Sequence, residues 1–185
     1  MTEYVAFLRG INVGGKRLIK MEDLRVVVES LGLKNVRTFI ASGNVLFDTS
    51  QTNRDALTRK IEKKLLAAFG HDVPVVLQTI AELKDILRAG PFKKIKPSAD
   101  AMLCVTLLVA EPKAGPKLPF QSEKENLEVL AIKNRAAFIL CRRKKNGSFA
   151  FPNNFLEKEF GVVATTRQWN TIVRIVDFAG NAKVD

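Results

Sequence analysis

The sequence is poor in the residues that build metal and redox sites, with two cysteines and one histidine among 185 residues. Cys104 and Cys141 both lie in apolar runs, where a free thiol behaves as a small hydrophobic side chain. This spacing predicts neither a disulfide framework nor a zinc site, and His71, in the turn sequence GHDVP, is expected to be a solvated loop residue. We therefore predict no metal and no cofactor, and the thiols favour a reducing cytoplasm.

Long hydrophobic runs are also absent. The longest apolar stretch, residues 101–110, contains Thr106 and is too short to cross a bilayer as a helix. The first residues, MTEYVAFLRG, lack the charged segment and apolar segment of a secretory signal. The sequence thus predicts a cytoplasmic protein without a membrane partner.

Acidic residues are too few to balance the basic ones. Thirty Lys and Arg against 19 Asp and Glu give a formal charge of +11 and a pI near 9.9. Basic runs occur at 59–64, 93–96 and 142–145. Such a charge favours anionic partners by long-range attraction, although a solubilising surface is the simpler explanation of each run. The 46% hydrophobic content is sufficient for a packed core.

The first half of the chain reads as strands and helices in the order βαββαβα. Buried-strand patterns occupy 4–9 and 73–78, and short strands at 36–40 and 44–48 are joined by a hairpin turn through residues 41–43. Amphipathic helices begin at Met21, after Asn53 and after Thr79, and they end at Gly32, Gly70 and Gly90.

The second half follows a linker at 91–100, which has two prolines and three lysines. It reads as a strand at 101–110, a Pro-rich connection at 111–125 with room for a short helix, and a hairpin turning at Asn134 and Arg135. A short helix capped by Asn153 or Asn154, a strand at 162–164 and a helix from Thr166 complete it. The order is again βαββαβα. We therefore predict an α+β fold of duplicated ferredoxin-like (βαββαβ) halves, 1–92 and 93–185, with antiparallel sheets carrying helices on one face.

The glycine-rich segment after the first strand, RGINVGGK, is the most conspicuous motif. Gly10, Gly15 and Lys16 match the first part of the phosphate-loop pattern G-x-x-x-x-G-K. Arg17 then replaces the Ser or Thr that would hold Mg²⁺, and this replacement argues against a nucleoside triphosphatase. Gly14 and Gly15 could still form an anion-binding concavity, with Arg9 and Lys16 at its edges. The alternative is a plain turn in which Asn12 acts as the cap.

Three segments, LRGINVGGK (8–16), SGNVLF (42–47) and FLEKEFGVVATTRQWNT (155–171), resemble an uncharacterised bacterial family, domain of unknown function family 1697. The resemblance implies a cytoplasmic bacterial protein of duplicated ferredoxin-like construction, and it supplies no catalytic residues. The chain departs from the family pattern at Phe39, Ala41 and Gln168, which puts in doubt any role for the side chains usual there.

Polar positions within these segments give the candidate ligand-binding residues. They are Arg9, Asn12, Gly14, Gly15, Lys16, Ser42, Asn44, Arg167 and Asn170. Structural roles compete with binding, because Thr165 or Thr166 can cap a helix and Trp169 can anchor a core. Arg167, in contrast, is expected in the first turn of that helix, where acids are preferred, so an anion-binding role fits it.

These residues predict a protein that binds an anionic ligand, either nucleic acid or a phosphorylated metabolite. One alternative is a small metal-independent enzyme acting on a phosphate- or carboxylate-bearing substrate, and another is a structural or protein-partner module. An RNA recognition motif would need Tyr4, Phe7 or Phe47 to present stacking surfaces. The sequence determines neither the oligomeric state nor whether catalysis occurs.

Overall fold

The computed structural model describes residues 1–15, 17–95 and 98–181. Its described residues form five helices and two antiparallel sheets, so the predicted α+β class is confirmed at this level. The chain divides into two compact units, residues 1–81 and residues 82 onward. The predicted halves, 1–92 and 93–185, remain a prediction about domains.

The first unit contains a four-stranded sheet in the order β2-β3-β1-β4 and two helices. Its elements are β1 (Thr2–Leu8), α1 (Met21–Glu29), β2 (Lys34–Phe39), β3 (Asn44–Thr49), α2 (Arg54–Phe69) and β4 (Val75–Thr79). As predicted, Asn53 caps α2, because its Oδ1 accepts the Ala56 amide at 3.0 Å, and Gly70 ends the helix in a left-handed conformation.

Helices α1 and α2 share one core with the sheet of this unit. Leu24, Val28, Leu57, Ile61 and Leu65 pack with alternate sheet residues such as Ala6 and Phe47. The intervening strand residues Val5, Phe7, Leu46 and Val76 are buried as well. Burial on both faces explains why β1 and β4 read as nearly continuous apolar runs rather than alternating ones.

The second unit contains a five-stranded sheet in the order β6-β7-β8-β5-β9. Helix α3 (Ile80–Ala89) begins at the end of the first unit, and the remaining elements are β5 (Ala101–Leu108), β6 (Phe120–Ser122), β7 (Leu127–Lys133), β8 (Ala136–Arg142), α4 (Pro152–Phe160), β9 (Ala164–Gln168) and α5 (Trp169–Asn181). The predicted hairpin turn is confirmed, since Lys133 pairs with Ala136 and both Asn134 and Arg135 have positive φ.

Three details of the second half differ from the sequence prediction. Residues 109–126 contain the short strand β6 but no helix, because prolines interrupt this connection. Helix α4 is preceded by Phe151 and has Pro152 in its first turn, so neither Asn153 nor Asn154 caps it. The final strand and helix both begin later than predicted, because the β-branched Thr165 and Thr166 pair with β5 instead of starting a helix.

Candidate functional site

The segment between β1 and α1 has a left-handed backbone at five of the described positions among residues 9–15 and 17–20. Positive φ angles occur at Gly10 (+71°), Asn12 (+54°), Gly14 (+59°), Gly15 (+72°) and Arg17 (+49°). A methyl group added at Gly14 or Gly15 would meet nothing within 4 Å, so the backbone conformation, not packing, requires glycine there. Both glycines are exposed, and their amides have no acceptor among the described residues. We call residues 9–17 the glycine loop.

Asn12 fixes the base of the glycine loop. Its Nδ2 donates to the carbonyl of Ile19 at 3.0 Å and to that of Ala41 at 2.8 Å, while its Oδ1 accepts the Ile19 amide at 2.8 Å. The Asn12 amide also donates to the carbonyl of Arg17 at 3.2 Å. The side chain predicted as a ligand contact is therefore engaged in closing the loop and attaching it to the β2–β3 turn.

The β2–β3 turn packs directly on this loop. The carbonyl of Gly43 accepts the Leu8 amide at 2.8 Å, and a Cβ at Gly43 would lie only 2.5 Å from Cδ1 of Ile11. Asn44 is fully buried and donates from Nδ2 to the carbonyl of Phe39 at 2.9 Å and to Oγ of Ser42 at 3.0 Å. The structure thus brings Ser42 and Asn44 to the glycine loop, where they organise the turn.

Two arginines lie beside the glycine loop. Arg9 is half-buried at the end of β1, where its amide donates to the carbonyl of Pro74 at 2.9 Å. The exposed Arg17 places Nη1 3.9 Å from the position of a Cβ on Gly10, so its guanidinium lies over the loop. Lys16, the remaining predicted cation, lies outside the described residues.

Arg167 and Asn170 belong to the second unit. Arg167 is on β9, not in the first turn of a helix as predicted, and it pairs in register with Val105 of β5. Its Nη1 donates to Oγ1 of Thr165 and to the carbonyl of Thr166, both at 2.9 Å. Burial lowers the pKa of Arg167 to about 10, because the charged guanidinium loses its hydration. Asn170 is exposed in the first turn of α5.

Neither Thr165 nor Thr166 is a helix cap, in contrast to one sequence interpretation. Thr166 lies opposite Thr106 on β5, with their hydroxyl oxygens 2.7 Å apart, and the Thr166 hydroxyl also donates to Oδ1 of Asn153 at 2.6 Å. These hydroxyls connect β5, β9 and the start of α4. Several polar residues of segment 155–171 therefore have structural roles.

Two features that favoured nucleic-acid binding have structural explanations. Tyr4, Phe7 and Phe47 are at most 5% exposed, so they offer no stacking surface of the RNA-recognition-motif kind. In the basic run 142–145, Arg143 bonds Asp100 at 3.2 Å and Lys144 approaches Glu125 at 3.6 Å. These charges are locally compensated.

The described residues lack two kinds of feature. They contain no cluster of three or more His, Cys, Asp and Glu side chains arranged to hold a metal ion. Cys104 and Cys141 are buried free thiols. Nor do these residues include a helix with the length and hydrophobicity that crossing a membrane requires.

Sequence reasoning missed the roles of three residues in this region. Arg17 served only to argue against a phosphate loop, whereas its side chain lies over that loop. Ile11 and Gly43 form the contact between the loop and the β2–β3 turn. A glycine following a polar residue in a short hairpin was a signal for Gly43, but no local pattern reveals its contact with Ile11.

Comparison with known proteins identifies the family of this chain and a solved structure with a similar fold. Residues 1–138 match the family model described as "Protein of unknown function (DUF1697)". A solved structure, the conserved bacterial protein SP0830 from Streptococcus pneumoniae, is similar over 95% of this chain and 97% of its own, with a TM-score of 0.62 and 19% identity. At that identity the likeness concerns the fold alone. No curated protein sequence matches this chain. The family predicted from the three sequence segments is confirmed: the chain belongs to DUF1697, a family of unknown function.

Proposed function

We propose that the glycine loop binds an anionic group, a phosphate or carboxylate, on a nucleic acid or a phosphorylated metabolite. The observation that carries this proposal is the pair Gly14 and Gly15, whose exposed left-handed backbone has amides without acceptors among the described residues. Successive amides in such a conformation can converge on an anion. Arg17, which lies over the same loop, supplies a cation.

The anchoring of the loop supports the same proposal. The Asn12 side chain holds the base of the loop by donating two hydrogen bonds and accepting one, and the contact of Ile11 with Gly43 fixes the loop against the β2–β3 turn. A loop held in this way loses little conformational entropy when a ligand binds. The left-handed backbone of Asn12, which a residue with a side chain adopts only at a cost in energy, is then maintained by contacts outside the amides that face the anion.

We further propose that the fold arose by duplication and that the protein acts in the cytoplasm. The strand order β7-β8-β5-β9 of the second unit repeats the order β2-β3-β1-β4 of the first, which supports a duplicated ferredoxin-like construction. In the second copy β6 replaces the first helix. The buried free thiols Cys104 and Cys141 favour the reducing cytoplasm as the place of action.

The test compares binding of inorganic phosphate and of a short single-stranded DNA by the natural protein and by Arg17→Gln. We expect Arg17→Gln to weaken both, and the slope of log affinity against log salt for the DNA to become smaller by about 0.7, the value for one lost phosphate contact. Lys63→Gln is the matched control, because Lys63 is an exposed lysine of α2 and its loss changes net charge equally.

Equal weakening by Lys63→Gln and Arg17→Gln would show a general charge effect and contradict the loop site. Absence of measurable binding of both probes at low salt would contradict the function itself.

A further inference from the structure

The second unit contains a cleft between β6, the turn that follows it, and α4. Its volume is about 370 Å³, which lies within the range of about 300–1,000 Å³ usual for small-molecule sites. A neighbouring hollow beside Phe160 and the 111–116 segment reaches only about 260 Å³. The larger cleft is the one whose size suits a ligand.

One wall of the cleft is aromatic. Phe120 of β6 and Phe155 of α4 line it, with ring centroids 6.0 Å apart and planes inclined by 13°. Register places the first ring, because Phe120 pairs with Val129, a residue of the core against which Phe155 of α4 packs, so the two paired side chains lie on the same face of the sheet. Phe155 packs against the same core and is only partly buried. Two near-parallel rings that are stacked on each other and partly exposed can extend their stack to a planar ligand.

The rim of the cleft carries two lysines and two glutamates, and Lys144 outside the lining adds a further positive charge beside it. Lys124 and Lys158 are exposed, and neither forms an ion pair with a residue the structure describes. Glu125 is offset by Lys144 at 3.6 Å, which leaves Glu159 as the remaining carboxylate of the lining. Two ammonium groups that are in no ion pair with the described residues favour an anion, whereas the carboxylate of Glu159 can accept a hydrogen bond from a ring amine.

We propose that this cleft binds a planar heteroaromatic ring carrying an anionic group, the chemistry of a nucleoside monophosphate. The ligand ring extends the stack of Phe120 and Phe155 at an exposed ring face, and the phosphate lies between Lys124 and Lys158. The site is separate from the glycine loop, because all its residues belong to β6, α4 and the turn after β6.

The test is isothermal titration calorimetry of the full chain with adenosine monophosphate, adenosine and inorganic phosphate at low salt. We expect the monophosphate to bind, adenosine to bind about tenfold more weakly, and phosphate alone to be weaker still, because ring and anion contribute together. Lys158→Gln should bring the affinity for the monophosphate close to that for adenosine. Lys145→Gln, an exposed lysine of the same unit outside the cleft, should leave it unchanged.

A second variant probes the aromatic wall. Phe155→Leu keeps an apolar side chain of similar volume but removes the ring, so we expect both adenosine and its monophosphate to bind about tenfold more weakly. Circular dichroism verifies the fold of Phe155→Leu. Lys158 is exposed, so Lys158→Gln tests the site without disturbing the core.

The variants also separate this site from the loop. Monophosphate binding lost in Arg17→Gln but kept in Lys158→Gln would assign the nucleotide to the loop and overturn the cleft proposal. Unchanged affinity in both Lys158→Gln and Phe155→Leu, or no monophosphate binding at all, would also overturn it. If only the loop proposal is wrong, Arg17→Gln should leave the binding of phosphate and DNA unchanged, while Lys158→Gln and Phe155→Leu still weaken the binding of the monophosphate.

Discussion

Gly43 and Gly32 have nearly the same left-handed backbone, with φ of +75° and +77°, but different surroundings. A Cβ at Gly32 would meet nothing within 4 Å, whereas one at Gly43 would meet Ile11 and Leu8. Gly32→Ala should therefore lower the free energy of unfolding by about 1–2 kcal/mol, the cost of the backbone conformation alone. Gly43→Ala should cost about 1–3 kcal/mol more through overpacking. Urea unfolding followed by circular dichroism measures both, and equal losses would contradict the Ile11 contact.

Asn12 combines a left-handed backbone with three side-chain hydrogen bonds, and two substitutions separate these contributions. Asn12→Gly keeps the conformation but removes the bonds, so we expect a loss of about 1–3 kcal/mol in the free energy of unfolding. Asn12→Ala should lose about 1 kcal/mol more, because alanine also disfavours positive φ. If Asn12→Gly has the stability of the natural protein, the amide does not hold the loop.

The strand pair β5–β9 provides a prediction at the scale of elements. Thr106 is fully buried, and its hydroxyl lies 2.7 Å from that of Thr166, which also donates to Asn153. Thr166→Val should leave the Thr106 hydroxyl buried without this partner, at a cost of about 1–3 kcal/mol. Thr106→Val removes one bond and should cost about 0.5–1.5 kcal/mol.

The double variant distinguishes this network from simple packing. Thr106→Val combined with Thr166→Val leaves no orphaned hydroxyl in the strand pair, so its loss of stability should be smaller than the sum of the two single losses. Chemical denaturation of the four proteins measures the coupling. Additive losses would contradict it.

The opening of the five-stranded sheet of the second unit can be measured through the reactivity of its two cysteines. Cys104 and Cys141 are 1% and 0% exposed, and a hydrogen bond with Cys141, together with burial, raises the pKa of Cys104. A disulfide reagent should therefore label both thiols at the rate at which the five-stranded sheet opens, and rapidly in concentrated urea. Absorbance of the released chromophore gives the rate. Prompt labelling in native buffer would show that the sheet opens locally.

At the scale of the whole molecule, local patterns predicted most of the elements. The cap at Asn53, the turn at Asn134 and Arg135 and the buried strands of the first unit each depend on neighbouring residues, and the structure confirms them. The end of the chain differed, because the pairing of Thr165 and Thr166 with β5 is a contact across some 60 positions in sequence. Such a contact overrides the local preference for a helix cap.

The candidate site shows the same division. The amino-acid sequence by itself determined the family, the α+β class and the glycine-rich turn after the first strand, because short-range patterns and backbone sterics encode them. Only the tertiary structure decided that Asn12 and Asn44 organise the loop and its turn, that Arg17 lies over it, and that Arg167 is buried on a strand. The reason is physical: whether a polar side chain faces a ligand or a backbone carbonyl depends on which distant segments pack beside it.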